Sequence, residues 1–260
     1  MPRKHEYKPK RKGFKRRSAS ALPSDLQQIW GLHSVEAALL NPHREPVRLL
    51  ATENAWKKLE QAGRGKIQPE IVRPQMIDRL VHADAVHQGA LLEARPLEPL
   101  SLDELPTEGC ILALDQVTDP HNVGAILRTA AAFGVKALIL TQRYSPETTG
   151  TLAKAASGAL EYVPLVVVKN LRSALDELRA KSFSVIGLDS DGDADLTQIA
   201  PAPPVVLVLG AEGRGLRHGV REGCDRIARL DMPGAIKSLN VSNATALALY
   251  IASGKKKQQP

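Results

Sequence analysis

From Ile29 onward the apolar positions alternate between helical spacing and short continuous runs. Val35, Ala38 and Leu39 share one face of a helix predicted to begin after Gly31. Val47–Leu50 reads as a strand, Ala55–Ala62 as a helix and Ile71–Val72 as a short strand. Gln75–Val81 reads as a helix and Ala90–Glu93 as a strand entered through Gly89. Pro96, Pro99 and Pro106, with four acids among residues 98–108, then interrupt the pattern and mark a linker. The alternation resumes more strongly beyond it. Cys110–Leu114, Ala137–Thr141, Val163–Val168, Phe183–Leu188, Val205–Leu209 and Arg226–Leu230 read as strands, and Val123–Phe133, Leu171–Lys181 and Val241–Ala252 as helices. Strands that are apolar throughout, alternating with helices, predict an α/β fold with a parallel sheet covered on both faces.

Charge divides the chain differently. The formal net charge is +7, yet residues 1–17 carry nine Lys and Arg against Glu6 alone, and Lys255, Lys256 and Lys257 add three more at the other end. The body between them is therefore slightly acidic. A Lys/Arg-rich segment with one Tyr and one Phe cannot bury enough apolar surface to order itself, so it reads as a mobile arm that attracts polyanions. The sequence thus predicts a basic disordered arm (1–28), a first α/β unit (29–97), a linker (98–108), a second α/β unit (109–254) and a basic tail (255–260). Aromatics are only 3% of residues, which argues against a base-stacking surface. No apolar run reaches membrane-helix length and the first thirty residues lack a signal-peptide core, so a soluble, cytoplasmic protein is expected. Cys110 and Cys224 can form neither a disulfide framework nor a zinc site, and read as reduced thiols.

Three segments carry candidate chemistry. Asp115–Ala130 follows a strand directly; Asn122 reads as an N-cap, and Val123, Ile126, Leu127, Ala130 and Gly134 form the core stripe. Arg128 falls off that stripe, downstream of the polar loop of Asp119, His121 and Asn122, which favours a functional arginine at a strand's carboxyl end. Val205–Leu216 is a buried strand running into a turn with Gly210, Gly213 and Gly215; this spacing is neither the dinucleotide nor the P-loop pattern, which disfavours a nucleotide-dependent oxidoreductase. Glu212 lies inside that turn. In the third, Leu230–Ala246, Pro233-Gly234 is followed by Ser238 and Asn240 at the start of an alanine-rich helix. Each loop ends a strand of one sheet, so the three can converge. Asp189, Asp191, Asp193 and Asp195 alternate like a calcium loop, but Ala194 and Ala200 occupy the two defining positions, so a solvated loop is expected and no metal site.

DPHNVGAILRTAAAFG, VLGAEGRGL and MPGAIKSLNVSNATAL resemble, in order and spacing, the three motifs of the SpoU/TrmH family (SPOUT superfamily) of RNA ribose 2′-O-methyltransferases. WGLHSVEAAL and HQGALLEARPL resemble the ends of the small ribosomal-protein-L30e-like RNA-binding domain that precedes it, a pairing most similar to the 23S rRNA guanosine (RlmB-like) branch. The resemblance implies a deep C-terminal trefoil knot, a homodimer, S-adenosyl-L-methionine as methyl donor without metal, and structured RNA as partner. It places Gly210, Leu230, Met232 and Leu239 at the donor. Asn122, Arg128, Glu212, Ser238 and Asn240 fall at the polar catalytic positions, with Arg128 acting across the dimer interface. Asp231 departs from the pattern, standing where many relatives have proline, and the basic arm lies outside the core pattern. A tRNA-directed enzyme and a non-catalytic RNA-binding or ribosome-assembly protein stay open as alternatives.

Overall fold

The computed structural model describes residues 26–83, 85–143, 152, 155–156, 158–235 and 238–254. The charged segments at 1–25 and 255–260 lie outside the described residues.

The first unit is a four-stranded mixed sheet. In chain order it contains β1 (Gln27–Trp30), α1 (Leu32–Leu40), β2 (Pro46–Ala51), α2 (Glu53–Gly63), β3 (Pro69–Ile71), α3 (Pro74–Asp78) and β4 (Ala90–Ala94), with strand order β1-β4-β2-β3. Strand β1 begins two residues before the expected boundary: Gln27 and Gln28, assigned by sequence to the arm, pair antiparallel with Ala94 and Glu93. Backbone pairing needs no apolar side chain, so period-2 hydrophobicity gave no sign of them. Helix α2 follows the predicted pattern, with Thr52 accepting from the Ala55 amide as its N-cap.

The second unit is a seven-stranded sheet in which every pairing is parallel. Its elements are β5 (Cys110–Asp115), α4 (Pro120–Ala132), β6 (Ala137–Thr141), β7 (Leu165–Val168), α5 (Leu171–Ala180), β8 (Ser184–Leu188), β9 (Ala194–Asp195), α6 (Leu196–Ile199), β10 (Val205–Gly210), α7 (His218–Arg221), β11 (Arg226–Arg229) and α8 (Val241–Ala252). Spatial order is β7-β6-β5-β10-β8-β11-β9. Side chains of β5 and β10 alternate between two cores. Leu112, Leu114, Leu207 and Leu209 pack with α4 and α8, while Ile111, Ala113, Val206 and Val208 pack with α5. Both faces are apolar because both are covered, which is why these strands read as unbroken hydrophobic runs.

The proline-rich linker is docked onto the sheet. The Leu100 amide donates to the Leu165 carbonyl at 2.8 Å, covering the β7 edge. Ser101 and Glu104 then close a capping box around residues 102–104.

Two consequences position the site. Strands β5 and β10 are adjacent, with Asp115 opposite Gly210 as the last register pair, so the loops that follow them emerge side by side. The chain leaves β5 toward β6 on one side while β10 lies on the other, giving the kind of strand-order reversal at which parallel sheets bind ligands.

Candidate active site

The loop after β5 enters α4 through Asp119, whose Oδ1 accepts from the His121 amide at 2.9 Å. The N-cap is therefore Asp119, with Pro120 at the first helical position, and the expected capping role of Asn122 is corrected. Freed from that role, Asn122 turns its amide to the neighbouring loops. Its Nδ2 donates to Glu212 Oε1 at 3.3 Å, and its Oδ1 accepts from Asn240 Nδ2 at 3.0 Å.

Asn240 works in two directions. As N-cap of α8, its Oδ1 accepts from the Ser242 amide at 2.9 Å and the Ser242 hydroxyl at 2.6 Å. Its Nδ2 also donates to Glu212 Oε1 at 2.5 Å. The Val241 amide donates to the same oxygen at 3.3 Å, so one carboxylate oxygen gathers three donors from two other loops. A carboxylate suits that position because it is acceptor-only and its charge strengthens each bond.

Glu212 is presented by a tight turn closed by the Gly215 amide on the Ala211 carbonyl at 3.0 Å. Gly213 and Gly215 adopt φ of +72° and +62°, where glycine alone is unstrained. Gly210 is required for a different reason than ligand approach: a Cβ there would overlap the Gly215 carbonyl carbon and oxygen. Gly210→Ala is therefore expected to destabilise the fold by about 1–3 kcal/mol through overpacking. This would be read as a lower urea midpoint, and an unchanged midpoint would contradict the packing account. Loss of donor binding in Gly210→Val would follow from this internal clash and so does not isolate a donor contact.

Three acids at strand ends fix the surrounding loops. Asp115, fully buried at the end of β5, accepts at Oδ1 from Arg217 Nε at 2.8 Å and at Oδ2 from the Arg217 amide at 2.9 Å, binding the loops after β5 and β10 together. Asp189, at the end of β8, accepts from the Leu216 amide at 3.2 Å. Asp195 caps α6 and accepts from the Asp231 amide at 2.8 Å. The solvated-loop expectation is thus corrected for Asp189 and Asp195, whose carboxylates hold backbone, while Asp191 and Asp193 are exposed. The Asp231 departure acquires a meaning as well: proline there would lack the N–H given to Asp195. Hydrogen bonds from the Thr197 hydroxyl and then the Asp231 amide hold the Asp195 carboxyl below its ordinary range. The role of Asp115 was missed by sequence reasoning, although a carboxylate terminating an apolar strand is a usable signal.

Between these loops lies a cleft of 440 Å³, within the range of roughly 300–1,000 Å³ typical of small-molecule sites. Gly210, Leu230, Met232 and Leu239 line it, as do Glu212 and Ser238. Asn122 and Asn240 are not among its lining residues and meet it through their bonds to Glu212. Arg128 lies apart, exposed on α4 and off the buried stripe. Burial pushes both thiols, Cys110 and Cys224, up to about 12, which leaves neither a nucleophile. Among the described residues no cluster of His, Cys, Asp and Glu could hold a metal ion.

A parallel sheet with polar loops converging on one cleft at its switch point is the α/β arrangement in which small molecules bind at strand ends. The profile described as the SpoU rRNA Methylase family matches residues 109–250, and that for RNA 2′-O ribose methyltransferase substrate binding matches residues 28–100. The chain belongs to the SpoU rRNA methylase family. It is 39% identical over 239 residues to the 23S rRNA (guanosine-2′-O-)-methyltransferase RlmB of Pseudomonas aeruginosa, covering 87% of this chain and 96% of that protein. It is 36% identical over 236 residues to the enzyme of the same name from Pasteurella multocida, covering 86% and 96%. Among solved structures, the AdoMet-bound rRNA methyltransferase from Sinorhizobium meliloti superposes with a TM-score of 0.74 at 26% identity, covering 88% of this chain and 87% of that one.

Proposed function

We propose that this protein transfers a methyl group from S-adenosyl-L-methionine to a ribose 2′-hydroxyl of structured RNA, specifically a guanosine of 23S rRNA. The observation that carries the reading is the Asn122–Glu212–Asn240 junction, which ties three strand-end loops together beside one cleft. The cleft's chemistry fits the donor. Leu209, Leu230 and Leu239 offer apolar walls for an adenine ring, and the acids Asp189, Asp191 and Glu212 together with Arg214 and Arg221 offer charged partners of both signs to a donor that carries a carboxylate, an ammonium and a sulfonium. Gly210, Leu230, Met232 and Leu239 would hold the donor, which supplies an electrophilic methyl carbon when bound.

The chain's own residues must then position a weakly nucleophilic hydroxyl and favour loss of its proton. Arginine stays protonated, which makes Arg128 a poor base. Its role in this reading is to grip the phosphate beside the target ribose and lower the hydroxyl pKa by its charge. Asn122, Glu212, Ser238 and Asn240 would orient the sugar and fix the loops around it.

Homodimerisation through α4 and α8 belongs to the same reading. These helices pack together and leave Leu247 at 39% and Tyr250 at 57% exposed, an apolar face that a second copy would cover. Arg128, on the outward side of α4, would reach the partner's cleft. Family likeness supports the knotted threading, and the rRNA substrate implies a cytoplasmic location.

The basic arm would add RNA affinity through counterion release. Deleting residues 1–17 is expected to weaken RNA binding and flatten its dependence on salt, each lost phosphate contact removing about 0.7–0.9 from the log–log slope. An identical slope after truncation would reduce the arm to a solubilising tail. The function itself is tested by mapping 2′-O-methylation in RNA from cells lacking the protein. Loss of one ribose methyl from 23S rRNA is expected; intact rRNA with a lost tRNA methyl would overturn the substrate.

A further inference from the structure

A buried ion pair joins the two units. Arg44, in the loop after α1, meets Glu161, in the turn before β7, with side chains only 1% and 3% exposed. Arg44 Nη2 donates to Glu161 Oε1 at 2.6 Å and Nε to Oε2 at 3.2 Å. The guanidinium also donates through Nη1 to the Arg95 carbonyl at 2.6 Å and to Gln27 Oε1 at 3.2 Å. Asn41 Nδ2 donates to Glu161 Oε2 at 2.8 Å. Asn41 and Arg44 of the first unit thus bond one carboxylate of the second directly, and the guanidinium in turn holds positions 27 and 95 of its own unit.

The surroundings explain why this pair carries the geometry. Helix α1 rests on the same turn, and a Cβ added at Gly158 would stand 3.2 Å from the Ser34 Cα. A cavity of 740 Å³ bounded by Arg44, Glu161, Pro96 and Leu160 lies alongside, so apolar packing does not seal the junction. Apolar contact is non-directional, whereas a two-point guanidinium–carboxylate contact fixes an angle. The turn's other neighbour is α4. On that helix Gly124 abuts residues 155–156 so closely that a Cβ would overlap Ala155. One turn therefore touches both α1 of the first unit and the helix bearing Asn122 and Arg128.

We propose that the Arg44–Glu161 pair is a positioning latch that sets where the substrate-binding unit holds RNA relative to α4 and the cleft. The inference rests on the methyl-transfer reading for its kinetic consequence, though not for its structural one. Misplacing a reactant by 1 Å can cost about 10²-fold in rate. A loosened junction should therefore act on RNA-dependent kinetics without touching the donor cleft.

The test uses the full chain with Cys110 and Cys224 replaced by alanine and spin labels on cysteines introduced at exposed Lys57 and Lys169. One variant is Glu161→Gln. The other replaces both partners, Arg44→Met with Glu161→Met, which avoids leaving a lone buried charge that could unfold the protein. With doubly labelled chains diluted into an excess of unlabelled protein, so that a dimer carries one labelled protomer, protein retaining Arg44 and Glu161 is expected to give one narrow label–label distance, and both variants a broad distribution. In both, kcat/KM for rRNA should fall about tenfold or more while the Kd for S-adenosyl-L-methionine is unchanged. An unaltered distance distribution, or a broadened one with unaltered kcat/KM for RNA, overturns the proposal. If the unsubstituted protein transfers no methyl at all, the proposed reaction falls, and the label distances alone decide whether this pair holds the units together.

Discussion

Arg128→Ala is expected to lower methyl transfer by about 10²–10³-fold, the scale seen when one preorganised electrostatic donor is removed from a reacting centre. Binding of S-adenosyl-L-methionine should be unchanged, because Arg128 is not among the residues lining the cleft. Stability should barely move, since the side chain is exposed on α4 and such surface substitutions fall within about ±0.5 kcal/mol. Turnover measured beside donor calorimetry separates these effects. Arg128→Lys keeps the charge and loses the planar fork, so an intermediate rate is expected if phosphate recognition is the role. Wild-type turnover in Arg128→Ala would remove this residue from the reaction.

Glu212→Gln is expected to reduce turnover by about 10²-fold and, unlike Arg128→Ala, to weaken donor binding as well. The carboxylate oxygen that accepts from Asn122, Asn240 and Val241 becomes a neutral amide oxygen, and each bond loses its charge assistance. Helix α8 should persist, because the Asn240 bonds to Ser242 that cap it do not involve Glu212. Circular dichroism should therefore look native while calorimetry reports a weaker donor. Unchanged turnover and donor affinity would detach the junction from function. Mixing the two inactive variants adds a further check. If Arg128 serves the partner's cleft, a mixed dimer contains one site with both residues intact and regains activity. If it serves its own cleft, both sites stay defective.

Much of this arrangement was legible in the chain itself. The sequence places Val123, Ile126, Leu127, Ala130 and Gly134 on one core stripe; the first four are buried and leave Arg128 outside, whereas Gly134 lies past the helix end, exposed and at φ +66°, so it stops the helix rather than packing in the core. Helix Val241–Ala252 spans the residues its pattern predicted. Local rules sufficed there because a continuous apolar face has one low-energy way to pack. They failed where a partner lay far along the chain. Asn122 was read as a cap because Asn favours that position, yet Asp119 and Pro120 compete for it with better local geometry, and the released amide finds Glu212 ninety residues away. Asp189 and Asp195 looked like loop acids because nothing nearby in sequence reveals the Leu216 and Asp231 amides that they accept from. Gln27 and Arg44 gave no signal at all; Arg44 is buried on Glu161 and the Arg95 carbonyl, and Gln27 on Arg44. Family resemblance carried the assignment of the three loops to one reaction, and the register of Asp115 opposite Gly210 supplies the physical reason that two of them meet.

The most direct measurement of the central claim is to incubate the purified protein with methyl-tritiated S-adenosyl-L-methionine and a 23S rRNA transcript, then locate the label. Methylation of a ribose 2′-oxygen blocks alkaline cleavage at the next phosphate, so the label is predicted in a single alkali-resistant dinucleotide whose 5′ member is guanosine. Label released in mononucleotides, as a base methyl would give, or no incorporation at all, would contradict the account.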